Sequence, residues 1–468
     1  MNRSYEVAII GAGTAGLAAL KEVRKHTDDF VIVNAGDYGT TCARVGCMPS
    51  KALVEAANAF HRRKVFESLG IHGADRLTVD IPAVLRRVRQ LRDRFIHNLV
   101  ELTDGLAQRS VVGHARFAAP DVLEVNGERW QVKKTIIATG SRPVLPPGWA
   151  ALGPRVLTTD ELFEQESLPA RMAVIGMGAI GTEIAQALAR LGIQVTAFAV
   201  GRTIAGLTDL RVSEQAVRLL GAECQLLMGE RVELEGDGAG AGVRVRSADA
   251  SFVFDKVLAA LGRRPNLDGL GLGHLGVMLD ERGLPAFDRG TMQIGDLPIY
   301  IAGDVTDEVQ VLHEASDEGY ISGQNASLQT PMRFPRRTPL AIIFTDPNIA
   351  TIGARFDALD PDQVRAGEVD FSRQGRALIA IENRGLLRIY AAKDTGRLLG
   401  AELCAPGGEH LAHLLALAME RKLTVQQLLR MPFYHPVFEE GLRTALRDLA
   451  QQLGPIAASD LANCDPVQ

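Results

Sequence analysis

Two glycine triplets, each set between an apolar run and a helical pattern, constrain this chain more than any other feature. Tyr5-Glu-Val-Ala-Ile-Ile10 leads straight into Gly11-Ala-Gly13-Thr-Ala-Gly16, then a helical stretch from Leu17 to Lys25 and a second strand, Phe30-Val-Ile-Val33. The same plan recurs at Met172-Ala-Val-Ile175, Gly176-Met-Gly178-Ala-Ile-Gly181, a helix from Thr182 to Leu191, and the strand Gln194-Val-Thr-Ala-Phe198. Strand, glycine turn, helix, strand is the order of a dinucleotide-binding crossover. The first glycine permits the turn, the second lets backbone N–H groups approach a pyrophosphate, and the third lets helix and strand pack closely. The helix N-terminus then favours the diphosphate charge. One such motif alone is weak and competes with a small-residue turn that holds nothing. Two copies in full context point to a duplicated dinucleotide-binding unit.

A carboxylate usually ends the second strand of such a unit and holds ribose hydroxyls. Here Asn34 stands in the first copy and Ala199 in the second. Arg202, three residues on, either meets the 2′-phosphate of NADP or is a solvated loop arginine. Between the copies Lys134-Thr-Ile-Ile-Ala-Thr139-Gly140-Ser-Arg-Pro143 reads as a strand ending in a glycine turn, echoed by Val257-Leu-Ala-Ala-Leu-Gly262-Arg-Arg-Pro265. Ile299-Tyr-Ile-Ala-Gly-Asp304 is a further buried strand ending in an acid, placed where the chain returns to the first unit. A glycine-rich hairpin loop is expected between Glu233 and Val243, and the residues after Gly454 read as loosely attached.

At 468 residues the chain has room for about three domains. Its 46% hydrophobic and 23% charged residues are those of a soluble globular protein. A net charge of -5, with both signs mixed along the chain, gives no support for nucleic-acid binding. The apolar start is interrupted by glycines and lacks a basic leader, so it reads as a strand rather than a signal peptide. No apolar run approaches the length of a membrane span. Five cysteines, sparse and odd in number, indicate a reducing, cytoplasmic setting in which paired thiols are catalytic rather than structural.

Two of those thiols stand together in Gly39-Thr-Thr41-Cys42-Ala-Arg-Val-Gly-Cys47-Met-Pro-Ser-Lys51. In a regular helix, residues five apart have Cα atoms about 8–9 Å apart, beyond the reach of a disulfide. A bridge therefore demands an irregular turn, which Gly46 can supply, with helix proper expected from about Pro49. Such a bridge would close a tiny loop and open readily; the other reading is two unlinked core thiols. Far along the chain, Phe433-Tyr-His435-Pro-Val-Phe-Glu-Glu440 offers an imidazole suited to proton exchange with a thiol, and a carboxylate to orient it. Alone, His-Pro is more often a turn.

Taken together these segments resemble the pyridine nucleotide–disulfide oxidoreductase family, and within it most of all the dihydrolipoamide dehydrogenases. The likeness covers nearly the whole chain. It rests on the loop 11–16, the Cys42–Cys47 run ending Pro-Ser-Lys51, Ala138-Thr-Gly140, the loop 176–181 followed by Glu183, Ala302-Gly-Asp304, Phe344-Thr-Asp-Pro347, and His435-Pro with Glu440. The resemblance implies an α/β chain with an FAD-binding Rossmann-like domain in residues 1–146, completed by 266–335. It implies an NAD(P)-binding one in 147–265 and a C-terminal α+β dimerisation domain in 336–468. It makes Cys47 the flavin-side thiol, Cys42 the interchange thiol, and His435 the acid–base, oriented by Glu440 and reaching the cysteines of the second subunit of a homodimer. Lys51, paired with Glu183, would lie by the flavin N5. Asp304 would bind the ribityl chain and Leu312-His313 the flavin through backbone. Asn34, Thr41, Ala115, Thr139 and Gly140 would complete the FAD site, with Gly262 and Arg202 on the NAD(P) side. No metal is implied. The reaction expected is oxidation of a dihydrolipoyl group on a carrier protein with NAD(P)+, with NAD(P)H-dependent reduction of another, glutathione-type disulfide or a low-turnover flavoprotein subunit as alternatives. Val437 in place of the usual threonine, and Ala179 in place of an aromatic gate, depart from the family pattern.

Arg86, Arg87, Arg89, Arg92 and Arg94 crowd one helix, read first as a solvated amphipathic face and second as a dock for an acidic carrier. Cys224 and Cys404 read as core thiols and Cys464 as a tail residue.

Overall fold

The computed structural model describes residues 3–238, 242–454 and 460. The tip of the glycine-rich hairpin, the tail after Gly454 apart from residue 460, and Cys464 lie outside them.

The apolar run at the start forms the strand Arg3–Ile10, flanked by the parallel strands Phe30–Asn34 and Glu128–Ile137. Strand Ile299–Ile301 pairs in parallel with Glu128–Ile137, so the chain comes back to its first sheet after some 160 residues elsewhere. Between lies a second parallel sheet, ordered Gln225–Met228, Gln194–Ala199, Arg171–Ile175, Lys256–Ala259 and Val156–Thr158. Its strands read as near-continuous Val, Ile, Leu and Ala because helices cover the sheet. Two short strands, Ser141–Pro143 and Arg263–Pro265, pair antiparallel where the chain crosses from one unit to the other and back. The expected hairpin is present as Glu233–Gly236 and Val243–Arg246, joined by Ser251–Phe254 into a small antiparallel sheet.

The last part is an antiparallel sheet of Leu340–Ile343, Asn348–Gly353, Leu398–Ala405, Leu386–Ala392 and Val364–Asp370. Helices Gly408–Glu420 and Glu439–Leu453 bury Leu411, Leu415, Leu442, Leu446 and Leu449 against it. At about 25 cal/mol per Å² of apolar area, each such leucine contributes about 1.5–3 kcal/mol. The architecture is the expected one: two dinucleotide-binding Rossmann-like units and a separate C-terminal α+β domain. Among the described residues no helix is long and apolar enough to cross a membrane.

The redox helix starts earlier than expected. It runs Cys47–His61, after a single turn Thr41–Arg44 capped by Thr40 through Ala43 N–H. The break between them is Gly46, where a Cβ would come within 3.1 Å of Thr41 O and 3.2 Å of Cys42 Cα. That close approach folds the two cysteines back on each other. The arginine-rich helix Ile81–Asp104 keeps Arg86, Arg87 and Arg94 exposed, as its first reading expects, and departs from it only at Arg89 and Arg92. Arg89 donates to the carbonyls of Phe163 and Gln165, and Arg92 pairs with Glu164, so this side docks on the second unit instead of facing water.

Candidate active site

The two glycine loops have the same stereochemistry. A Cβ on Gly16 would sit 1.9 Å from Gly11 O, and one on Gly181 1.8 Å from Gly176 O, so neither helix could approach its strand with a larger residue. The middle glycines are the opposite: a Cβ on Gly13 or Gly178 meets nothing within 4 Å. Each middle glycine thus opens onto empty space at a helix N-terminus, the cradle a diphosphate needs.

Gly13 lines two adjoining cavities, which also share Thr41, Ala138 and Gly140. One, of about 800 Å³, passes Asn34, Ala115 and Thr139. Asn34 braces this loop, its Oδ1 accepting from Ala12 N at 3.1 Å and its Nδ2 donating to Gly36 O at 2.6 Å. The other, of about 430 Å³, holds Cys42, Cys47, Lys51, Asp304, Leu312 and His313 on one side and Ala179, Ile180 and Glu183 on the other. Together they form an elongated bed whose shape and donors suit an extended FAD, with the second glycine loop opening at its redox end.

At that end Cys42 and Cys47 are free thiols, Cys47 open to the cavity and Cys42 half-buried. The hydrogen bond from Cys42 lowers Cys47 from its ordinary 9.0 to about 7, with Lys51 assisting against the opposing effect of burial. Cys42 is pushed well up by the same bond and by burial. Lys51 Nζ lies 2.6 Å from Glu183 Oε1 and 4.6 Å from the centre of the Phe344 ring. The other oxygen of Glu183 accepts from Phe344 N at 3.0 Å. Asp304 accepts from Ser141 Oγ at 2.8 Å, and Arg263 Nε donates to the same hydroxyl at 2.9 Å while bonding Asp160 at 3.0 Å. Sequence reading missed this Asp160–Arg263–Ser141–Asp304 chain, although Ser141 and Arg263 stand in the two echoed Gly-x-Arg segments that could have flagged it.

The remaining expected residues are placed apart. His435 Nδ1 faces Glu440 at 3.0 and 3.1 Å, and this contact holds the Glu440 carboxyl below its usual range. The imidazole is 80% exposed, and neither residue lines a cavity with the thiols of its own chain. Gly262 is a left-handed turn at φ +91, its carbonyl accepting from Val144 N at the crossing. Arg202 is exposed on the loop after Ala199 and lines neither cavity.

Comparison with known proteins agrees with this geometry. The family described as pyridine nucleotide-disulphide oxidoreductase matches residues 5–319, and its dimerisation domain matches residues 340–446. A dihydrolipoyl dehydrogenase of Thermus scotoductus is 31% identical over 463 residues, covering 96% of this chain and 98% of that one. One from Bacillus subtilis is 30% identical, covering 94% and 97%. The HOCl-induced flavoprotein disulfide reductase RclA from Escherichia coli superposes with a TM-score of 0.80 over 96% of this chain and 99% of its own; at 22% identity this speaks to the fold alone. A matched pair of glycine cradles, a thiol pair beside one of them and a dimerisation sheet behind both thus have one common account: the chain belongs to the pyridine nucleotide-disulfide oxidoreductases, as an FAD- and NAD(P)-dependent enzyme with its own dimerisation domain.

Proposed function

We propose that this enzyme is an NAD(P)H-dependent reductase of a small or carrier-borne disulfide, working through Cys42 and Cys47. The observation that carries the reading is the pair of free thiols in contact at the mouth of the FAD bed, where the hydrogen bond from Cys42 lowers Cys47 to about 7 and, with burial, pushes Cys42 up. When bound, FAD supplies the two-electron link between a hydride from NAD(P)H and the cysteine pair. Asp304, Leu312 and His313 would hold its central part, Asn34, Ala115 and Thr139 its adenosine side, and Lys51 with Glu183 its reactive ring. The loop 176–181 would take NAD(P)H.

In the reduced protein Cys42 needs a base before it can attack. His435, held by Glu440 and brought by the second chain of the dimer, takes that proton. The Cys42 thiolate then attacks one sulfur of the substrate disulfide, forming a mixed disulfide, and the departing thiolate receives the proton from His435. The Cys47 thiolate next attacks Cys42, closing the Cys42–Cys47 disulfide and releasing the second substrate sulfur as a thiolate, which takes its proton from water. With FAD and NAD(P)H in place, a hydride equivalent would supply the two electrons that reopen it, so two electrons in would match two electrons out.

A second reading runs the same steps backward, oxidising a dihydrolipoyl group on a carrier. The named activity of the sequence relatives supports it. Anaerobic titration of the purified protein with NADH and then NADPH, followed by turnover with glutathione disulfide, other small disulfides and lipoamide, tests both. A long-wavelength band at two-electron reduction with turnover of a non-lipoyl disulfide supports the first reading. Turnover confined to lipoamide moves the assignment to the second. Flavin bleaching with no band, unchanged in Cys47→Ser, overturns both and leaves a flavoprotein without disulfide chemistry.

A further inference from the structure

Beside the redox helix a buried arginine gathers an ionic cluster that the proposed chemistry does not use. Arg190, at the end of helix Ala179–Arg190, is 1% exposed, and its fork spends every donor. Nε and one terminal nitrogen bind Glu223 at 2.6 and 2.7 Å. The same terminal nitrogen reaches Asp346 O at 2.9 Å, while the other donates to Asp346 Oδ2 at 3.0 Å and to Asn58 Oδ1 at 2.6 Å. Gln186, one turn earlier, exchanges two hydrogen bonds with the backbone of Asp346 at 2.9 and 3.0 Å. Arg384 adds a second cation to Asp346 at 3.1 Å.

This cluster repeats the geometry of the Lys51–Glu183 pair. Lys51 and Asn58 are seven residues apart on the redox helix, and Glu183 and Arg190 are seven apart on its neighbour. Seven residues are two turns, about 10.5 Å along the axis. The two helices are therefore fastened twice along facing stripes, in the same direction. Each fastening also takes a backbone or side-chain bond from the segment 344–346 of the C-terminal domain. A buried ionic cluster adds little net stability over apolar packing of equal volume, because desolvation offsets the attraction. What it imposes is a single register.

We infer that Arg190 is a positioning residue for the redox reaction: through Asn58 it fixes the roll of the Cys47–His61 helix, and with it the Cys42–Cys47 contact. Cys42 sits on a separate turn across the break at Gly46, so a roll of the long helix about the Lys51 fastening changes the distance between the thiols. The inference rests on the reading of Cys47 as the thiol facing the flavin.

The test uses the FAD-loaded dimer and three variants. Asn58→Ala removes the bond from Arg190 to the redox helix and leaves Glu223 and Asp346 paired, together with the 3.6 Å contact of His61, on the same helix, with Glu223. Asn58→Asp restores it as an ion pair, and Arg190→Lys keeps the charge but not the fork. Long-wavelength absorbance of the anaerobically two-electron-reduced protein is followed against pH, alongside the alkylation rate of Cys47, FAD content and thermal melting. In Asn58→Ala the expected result is a thiolate midpoint raised by about half a unit or more and a band about two-fold weaker, with melting and FAD content unchanged. Asn58→Asp returns to the wild-type values and Arg190→Lys shifts further. A wild-type midpoint and band in Asn58→Ala, or changes that only follow a drop in melting temperature, overturn the inference while leaving the thiol mechanism standing. No band in the wild type removes the mechanism itself.

Discussion

Replacing Cys42 by alanine removes the hydrogen bond that contributes most to the acidity of Cys47. Lys51 and burial remain and act in opposite directions, so the Cys47 pKa should climb from about 7 back toward its ordinary 9.0. At pH 7 the thiolate fraction then falls from about one half to about 1%, near 50-fold. A more basic thiolate is also more nucleophilic, with a Brønsted slope of about 0.4–0.5, which returns about eight-fold over two units. The net effect is alkylation about six-fold slower at pH 7 but about seven-fold faster at pH 10, with the two rate profiles crossing near pH 8. Iodoacetamide labelling of the reduced protein from pH 5.5 to 10, in a Cys464→Ser background, measures this. Cys224 and Cys404 do not interfere, since burial pushes both thiols up to about 12. Superimposable profiles for Cys42→Ala and its parent would refute the reasoning, because the acidity of Cys47 would then owe nothing to its neighbour.

Gly13→Val should fold and lose FAD by about ten-fold or more, since its side chain fills the diphosphate cradle, whereas Gly16→Ala should fail to fold because its Cβ lies 1.9 Å from Gly11 O; soluble yield and the flavin-to-protein ratio separate the two outcomes. Glu318 is 2% exposed and accepts from Gly303 N at 2.7 Å and from Arg336 at 2.8 Å, and burial, only partly countered by Arg336, pushes its carboxyl up to about 7 from 4.5. A raised carboxyl favours folding fully below pH 4.5 and loses that contribution as pH rises through 7, so Glu318→Gln should flatten the pH dependence of denaturant unfolding across this window by up to about 3 kcal/mol; equal slopes would exclude Glu318 as the source.

The parts of the fold that rest on local stereochemistry could be read from the chain directly. A glycine that must let a helix touch its strand leaves a fixed spacing, and 11–13–16 and 176–178–181 keep it. The thiol pair and His435 were visible because cysteine and histidine are scarce enough for their placing to carry information. The start of the redox helix was misjudged by two residues, since Pro49 suggested a first turn while Gly46 in fact caps the helix, its carbonyl accepting from Ser50 N. On the arginine-rich helix the solvated face was legible, with Arg86, Arg87 and Arg94 exposed, but sequence does not show that carbonyls of Phe163 and Gln165 wait opposite Arg89. The Arg190 cluster was invisible for the same reason. Asn58, Glu223 and Asp346 are ordinary surface types, and only the meeting of three distant segments gathers them around one buried guanidinium.

The outward-facing His435 has a consequence at the level of inheritance. Under the proposed arrangement a chain lends its imidazole to its partner and borrows the partner's in return. A chain lacking His435 would therefore keep its own thiols in working order and silence those of whichever chain it joined. In a cell expressing both forms equally, random pairing would leave about half of the thiol pairs without a proton carrier, and these would include pairs on chains with no lesion of their own. A Cys42 defect behaves the other way, confining the damage to the chain that carries it. One mutation at each place, put on different chains, would then gather the intact imidazole and the intact thiols at a single working site.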